Sequence, residues 1–219
     1  MTILDIVINT IPNQQEAWVW FIIPIIIGVI IAILVSSNPL PDKETRSVVI
    51  LGTKGAGKTS LWNALRGIKE ATTPTYQEKI SQFELKFKDK TVSIEETNDL
   101  GGSDSLLSAY EGLIKDHSFT YFLFNINRLD EKEEINSIVK QLSEIKKIIK
   151  KRDSVGLKFV GTHCDECNAD KNTLFKKIQK KLSFRKILKE ENIHLLNLQD
   201  PKDVEIIINE IVNNITDYA

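Results

Sequence analysis

A chain of 219 residues is long enough for one domain of ordinary size plus an appendage. Its net charge of −1 gives no global field to draw in nucleic acid or anionic lipid, so direct nucleic-acid binding is not expected. Three histidines and two cysteines leave little room for a metal centre or a disulfide framework, and the single pair Cys164–Cys167 reads as reduced thiols in a cytosolic loop.

Residues 1–16 carry no Lys or Arg and read as an extracytosolic segment. From Ala17 to Val35 there are nineteen residues without a charge. As a helix this stretch reaches roughly 28 Å, about the thickness of a bilayer core. Trp18 and Trp20 stand at its start, where interfacial aromatics belong, and Pro24 and Gly28 are tolerated in lipid. A signal peptide would need a basic leader and a shorter apolar core. A buried core helix need not be apolar on every face. The pattern predicts a transmembrane helix over 17–36, hence a membrane as a partner. Lys43 and Arg46 follow the span, which places the N-terminus outside and the rest of the chain in the cytosol. Residues 37–46, with Pro39 and Pro41, read as a stiff linker to a domain over 47–219.

That domain begins with a strand-like run, Val48–Leu51, then the loop Gly52-Thr53-Lys54-Gly55-Ala56-Gly57-Lys58-Thr59-Ser60, then a helix to Arg66 stopped by Gly67. The loop fits G-x-x-x-x-G-K-[ST] in its strand–loop–helix setting. Glycines let backbone N–H groups approach a polyphosphate, and the helix N-terminus adds its dipole. Lys58 would neutralise the outer phosphates and the Thr59 hydroxyl would ligate Mg²⁺. An alternating stretch through Ile80, Phe83, Leu85 and Phe87 turns at Lys88–Lys90 into Thr91–Thr97, an antiparallel hairpin. Phe119–Ile126 and Leu157–Gly161 are buried-type strands. Between them, Ile135, Ile138, Leu142, Ile145 and Ile148 follow helical spacing over 130–152. A basic helix over 170–190 reads as a solvated face. A strand Ile193–Leu198 and a helix opened by Asp200-Pro201 close the chain. The alternation predicts an α/β fold: a mostly parallel six-stranded sheet between helices, with one antiparallel edge.

Three later stretches fall in a telling order: Thr73-Pro74-Thr75, then Asn98-Asp99-Leu100-Gly101-Gly102 after the hairpin, then Thr162-His163-Cys164-Asp165 after a strand. With the phosphate loop they resemble the P-loop small GTPases of the Ras and Arf superfamily. The architecture, a membrane span before such a domain, also resembles the beta subunits of signal recognition particle receptors. The run from Gly57 to Leu65 is similar to Era-type bacterial GTPases as well.

The resemblance implies GTP and GDP as ligands, with Mg²⁺ held by Thr59, Thr75 and Asp99. It assigns catalysis to Lys58, Thr75 and the Gly102 N–H. It assigns the base to Thr162, His163, Asp165 and the loop Asn197–Leu198, with the Asp165 carboxylate accepting from guanine N1–H and N2–H₂. Departures are visible. Thr162 and His163 replace the usual Asn-Lys, and Asn197–Leu198 stands where Ser-Ala is common. Ser103 follows Gly102 where a glutamine orients the attacking water, and Lys54 fills a position that is usually small. The implied function is a membrane-anchored GTP-binding switch or recruiter with slow intrinsic hydrolysis, read by an unidentified cytosolic protein partner. The alternatives are a non-hydrolysing nucleotide-bound adaptor and an ATP-using P-loop protein, the latter leaving Asp165 unexplained.

Overall fold

The computed structural model describes residues 47–68, 76–116, 118–167, 169–182 and 193–217. The chain divides into two units, Met1–Asp42 and Lys43–Ala219, and every described residue belongs to the second. The expected membrane span, the linker and Thr75 lie outside the described residues. Among the described residues, no helix is long and apolar enough to cross a membrane.

The core sheet is parallel and four-stranded. It consists of β1 (Val48–Gly52), β6 (Phe119–Asn125), β7 (Gly156–Thr162) and β8 (Ile193–Leu195), in the order β1-β6-β7-β8. Every residue of β1 and β6 is buried, as near-continuous apolar runs require of strands covered on both faces. Alternate side chains sort into two cores. Val49, Leu51, Phe122, Phe124 and Phe159 face one way and meet α3 (Lys132–Ile149) and α4 (Lys171–Lys181). Val48, Ile50, Tyr121, Leu123 and Val160 face the other way and meet α1 (Lys58–Leu65) and α5 (Pro201–Asp217). The short helix α2 (Tyr110–Leu113) lies between the hairpin and β6. Asp200 caps α5 as expected, its Oδ1 accepting from Lys202 N at 3.0 Å.

The expected six-stranded sheet is not a single ladder. β3 (Phe83–Phe87) pairs with β4 (Lys90–Ile94), and β2 (Gln77–Ile80) pairs with β5 (Thr97–Leu100), both antiparallel. Phe83 opposes Ile94 and Ile80 opposes Thr97, so both pairs keep the register set by the turn at Lys88, whose φ is 54°. They are two halves of one hairpin interrupted at Ser81–Gln82 and Glu95–Glu96. The physical reason is partnering: one edge of β5 is bonded to β2, and β5 packs beside β1 without joining its ladder. Alternation announces a strand and is silent about its neighbour. The expected strand over 193–198 is also shorter: Leu196 N still bonds Gly161 O at 2.9 Å, after which the chain turns toward α5. Of the basic helix expected over 170–190, the described part is α4; residues 183–192 lie outside the described residues.

Candidate functional site

The carboxyl ends of β1, β5 and β7 meet at the phosphate loop. β1 ends at Gly52, where a Cβ would lie 2.0 Å from Leu123 O, so only glycine lets the loop leave the sheet beside β6. Gly57 caps α1 in the left-handed region at φ 83° without a side-chain cap, which leaves the first N–H groups of the helix facing the loop hollow. Lys58 folds back over the loop, its Nζ donating to Thr53 O at 2.8 Å. Burial pushes its pKa down to about 8, against the pull of the Asp99 and Glu134 carboxylates. Ala56 is buried, Lys54 is exposed on the loop rim, and Ser60 continues the first turn of α1.

Asp99 sits at the end of β5 and is 1% exposed. Its Oδ2 accepts from Thr59 Oγ1 at 2.5 Å, while its Oδ1 is buried without a hydrogen-bond partner. Burial raises its pKa, with the Thr59 bond and Lys58 pulling the other way. A hydroxyl and a buried carboxylate oxygen left unpaired at a phosphate loop fit Mg²⁺, a hard cation that takes oxygen ligands. Gly102 follows closely: a Cβ there would lie 2.1 Å from Lys54 N, so its backbone rests directly on the loop.

The base motif is reached from β7. Thr162 is buried, and its Oγ1 lies 3.1 Å from Ala56 O and 3.2 Å from Phe124 O, its one proton serving these carbonyls. It therefore accepts from His163 Nδ1 at 2.9 Å. Threonine thus ties the base loop to the phosphate loop. His163 is left-handed at φ 61°, and Asp165 is exposed on the turn Cys164–Glu166. Asn127 Nδ2 props that turn through His163 O at 3.2 Å and Glu166 Oε2 at 2.7 Å. Both cysteines are free thiols. Leu198 reaches the site by packing on Gly57, its Cδ1 2.7 Å from where a Cβ would stand. Asn197 is engaged within its own turn. Its N–H donates to Asp203 Oδ2 at 2.8 Å.

Three residues that motif reading missed hold the loop from behind. Thr53 Oγ1 donates to the buried Glu134 carboxylate, whose other oxygen is 3.2 Å from Arg128 Nη1. Arg128 Nη1 also donates to Lys54 O at 3.0 Å, and Glu131 accepts from its Nη2 at 2.9 Å. Gln141, on the same face of α3, donates to Gly102 O at 3.3 Å. A signal existed: Glu134 and Gln141 share the helical stripe of Ile138 and Ile145, where the spacing calls for apolar side chains. Replacing Glu134 by Ala leaves the Thr53 hydroxyl without its acceptor and takes one of its two carboxylates from Arg128, and the urea unfolding free energy is expected to drop by about 1–3 kcal/mol.

No protein-family model matches the chain, and no curated protein matches it. Among many solved chains that match is Roco2 of Methanosarcina barkeri, as RocCORdC bound to GDP, at 18% identity and a TM-score of 0.52. The match covers 79% of this chain and 49% of that one, so this chain spans about half the length of the solved protein. The likeness shows the fold: an α/β domain whose parallel sheet is consistent with that of P-loop GTPases. Within that fold, Lys58, Thr59, Asp99, Gly102 and Thr162 stand around one loop, and Thr75 lies outside the described residues.

Proposed function

We propose that residues 47–219 bind GTP and GDP with Mg²⁺ and act as a membrane-anchored switch or recruiter. The observation that carries the reading is convergence. Lys58 closes the phosphate loop on Thr53, and Thr59 on Asp99 and Thr162 on Ala56 bring two further motifs to that loop. The GDP in the Roco2 structure supports a guanine nucleotide here. Thr59 and Asp99 would hold Mg²⁺, with Thr75 as the third contributor, and the ion would offset phosphate charge. Asp165 would read guanine, and the exposed Lys54 would lie on the rim near the terminal phosphate. The uncharged run Ala17–Val35 supports the anchor, with the domain on the cytosolic side.

Hydrolysis is expected to be slow. Ser103 is exposed, its hydroxyl lies 2.9 Å from Ser105 Oγ, and it is too short to orient an attacking water. The same observation favours the non-hydrolysing adaptor as the second reading. The test is titration of the full-length chain in detergent with GTP, GDP and ATP analogues, with and without Mg²⁺, followed by single-turnover hydrolysis of bound GTP. Guanine-selective, Mg²⁺-enhanced binding is expected, with turnover no faster than about 10⁻³ s⁻¹. A rate of about 1 s⁻¹ or more without a partner would overturn the hydrolysis prediction, and binding with no measurable turnover would select the adaptor.

A further inference from the structure

We infer that Gln141 on α3 is a positioning residue that sets the preference of this site for a nucleoside diphosphate over a triphosphate, by holding Gly102 down on the phosphate loop. The inference rests on the guanine-nucleotide reading and deepens it. The Gly102 backbone lies against the loop so tightly that a Cβ would stand 2.1 Å from both Lys54 N and Thr53 C and 2.4 Å from Thr53 O. A terminal phosphoryl oxygen placed between the Gly102 and Lys54 N–H groups needs about 3 Å of hydrogen-bond distance on each side. With the Gly102 backbone packed against Lys54 N and the Thr53 carbonyl, a triphosphate is expected to enter only after Gly102 moves off.

What resists that movement is a set of buried and charged side chains on α3. Gln141 is fully buried, and its amide is committed at both ends. Its Oε1 accepts from Tyr110 OH at 3.0 Å. Its Nε2 lies 3.3 Å from Gly102 O, 3.0 Å from Ser137 Oγ and 3.4 Å from Asp104 Oδ1. Asp104, two residues beyond Gly102, is gripped from the same helix by Ser137 Oγ at 2.9 Å and Lys140 Nζ at 3.1 Å. Lifting Gly102 therefore pulls a carbonyl off a buried amide and strains a turn fastened to α3. A diphosphate leaves all of this intact. Ligands shift such an equilibrium only by their differential affinity for the two states, so the latch should appear as a ratio of affinities rather than as a change in both.

The experiment uses the full-length chain in detergent and measures Kd for GDP and for a non-hydrolysable GTP analogue. Wild type should bind GDP more tightly. Gln141→Met keeps length and volume but removes both amide partners, and it should bring the two affinities closer by about fivefold, the worth of one hydrogen bond. Lys140→Ala, a substitution at a side chain 59% exposed, loosens Asp104 from outside and should move the ratio the same way by less. It covers the case in which Gln141→Met folds poorly. A ratio unchanged in both variants, or equal weakening of both nucleotides, overturns the inference while leaving nucleotide binding in place. Wild type that binds neither nucleotide overturns the guanine-nucleotide reading and the inference with it.

Discussion

Lys58→Ala is expected to abolish nucleotide binding, with at least a hundredfold loss of affinity for GTP and GDP alike. The Nζ is the one cation folded into the hollow of the phosphate loop among the described residues, donating to Thr53 O at 2.8 Å from a side chain in a residue 7% exposed. Charge-assisted bonds to phosphate in a water-poor site are about twice as strong as neutral ones, and several form at once on a polyphosphate. Lys54 cannot substitute, because it is exposed on the rim. The variant should remain folded, because the truncation removes a buried charge that burial disfavours.

The same lysine predicts a pH dependence. Its pKa in the unliganded site is about 8, below the ordinary 10.5, because burial outweighs the attraction of Asp99 and Glu134. Phosphate binding needs the ammonium form. Below about pH 8 the site is already charged and affinity is flat. Above it the site must take up a proton to bind, and affinity should fall by up to about tenfold per pH unit. Stability of the unliganded chain should move oppositely. The unfolded state holds the proton up to its higher pKa, so stability rises between about pH 8 and about pH 10.5. Calorimetric titrations across that window check both signs; affinity that is level through it removes Lys58 from the phosphate site.

Asp165→Asn is expected to erase the discrimination between GTP and ATP, by about a hundredfold or more in the affinity ratio, with little effect on the phosphate loop. A carboxylate offers two acceptors in a plane, matching guanine N1–H and N2–H₂. Asparagine replaces one acceptor with a donor and opposes a donor on the base. The carboxylate is exposed on the turn Cys164–Glu166, so its loss costs the fold little. The turn itself stays in place, because Thr162 holds it to Ala56 O and Asn127 to His163 O. Competition of ATP and GTP for a fluorescent analogue measures the ratio. Wild type binding both equally would mean that Thr-His-Cys-Asp no longer reads guanine.

The phosphate loop and its strand–loop–helix setting were legible because all their parts are contiguous. Gly52, Gly57 and Lys58 each have a local reason to be where they are, and the fold places them as the spacing required. Asp99, Gly102 and Thr162 were legible as positions through their order along the chain, and the fold brings them to one loop. The alternation of strands and helices likewise fixed an α/β fold with a parallel sheet. Thr162 was read as a substitute for asparagine at the base, and its hydroxyl turns out to be consumed in joining two loops.

The rest depended on pairings between distant segments. That the hairpin continues in register through a break, with β5 bonded to β2 and only packed beside β1, follows from backbone partners that alternation cannot name. Glu134 and Gln141 were read within a helix whose inward stripe is otherwise apolar. Their meaning appears only when α3 lies across the loop and each buried polar group has to find its partner, Thr53 for one and Gly102 for the other. The fold type, the phosphate loop and the order of the motifs can be read from the residues alone, because contiguous residues carry those. Which buried polar groups hold the loop, and how tightly Gly102 closes on it, emerges from the folded arrangement, because a hydrogen bond in the core depends on where two remote segments meet.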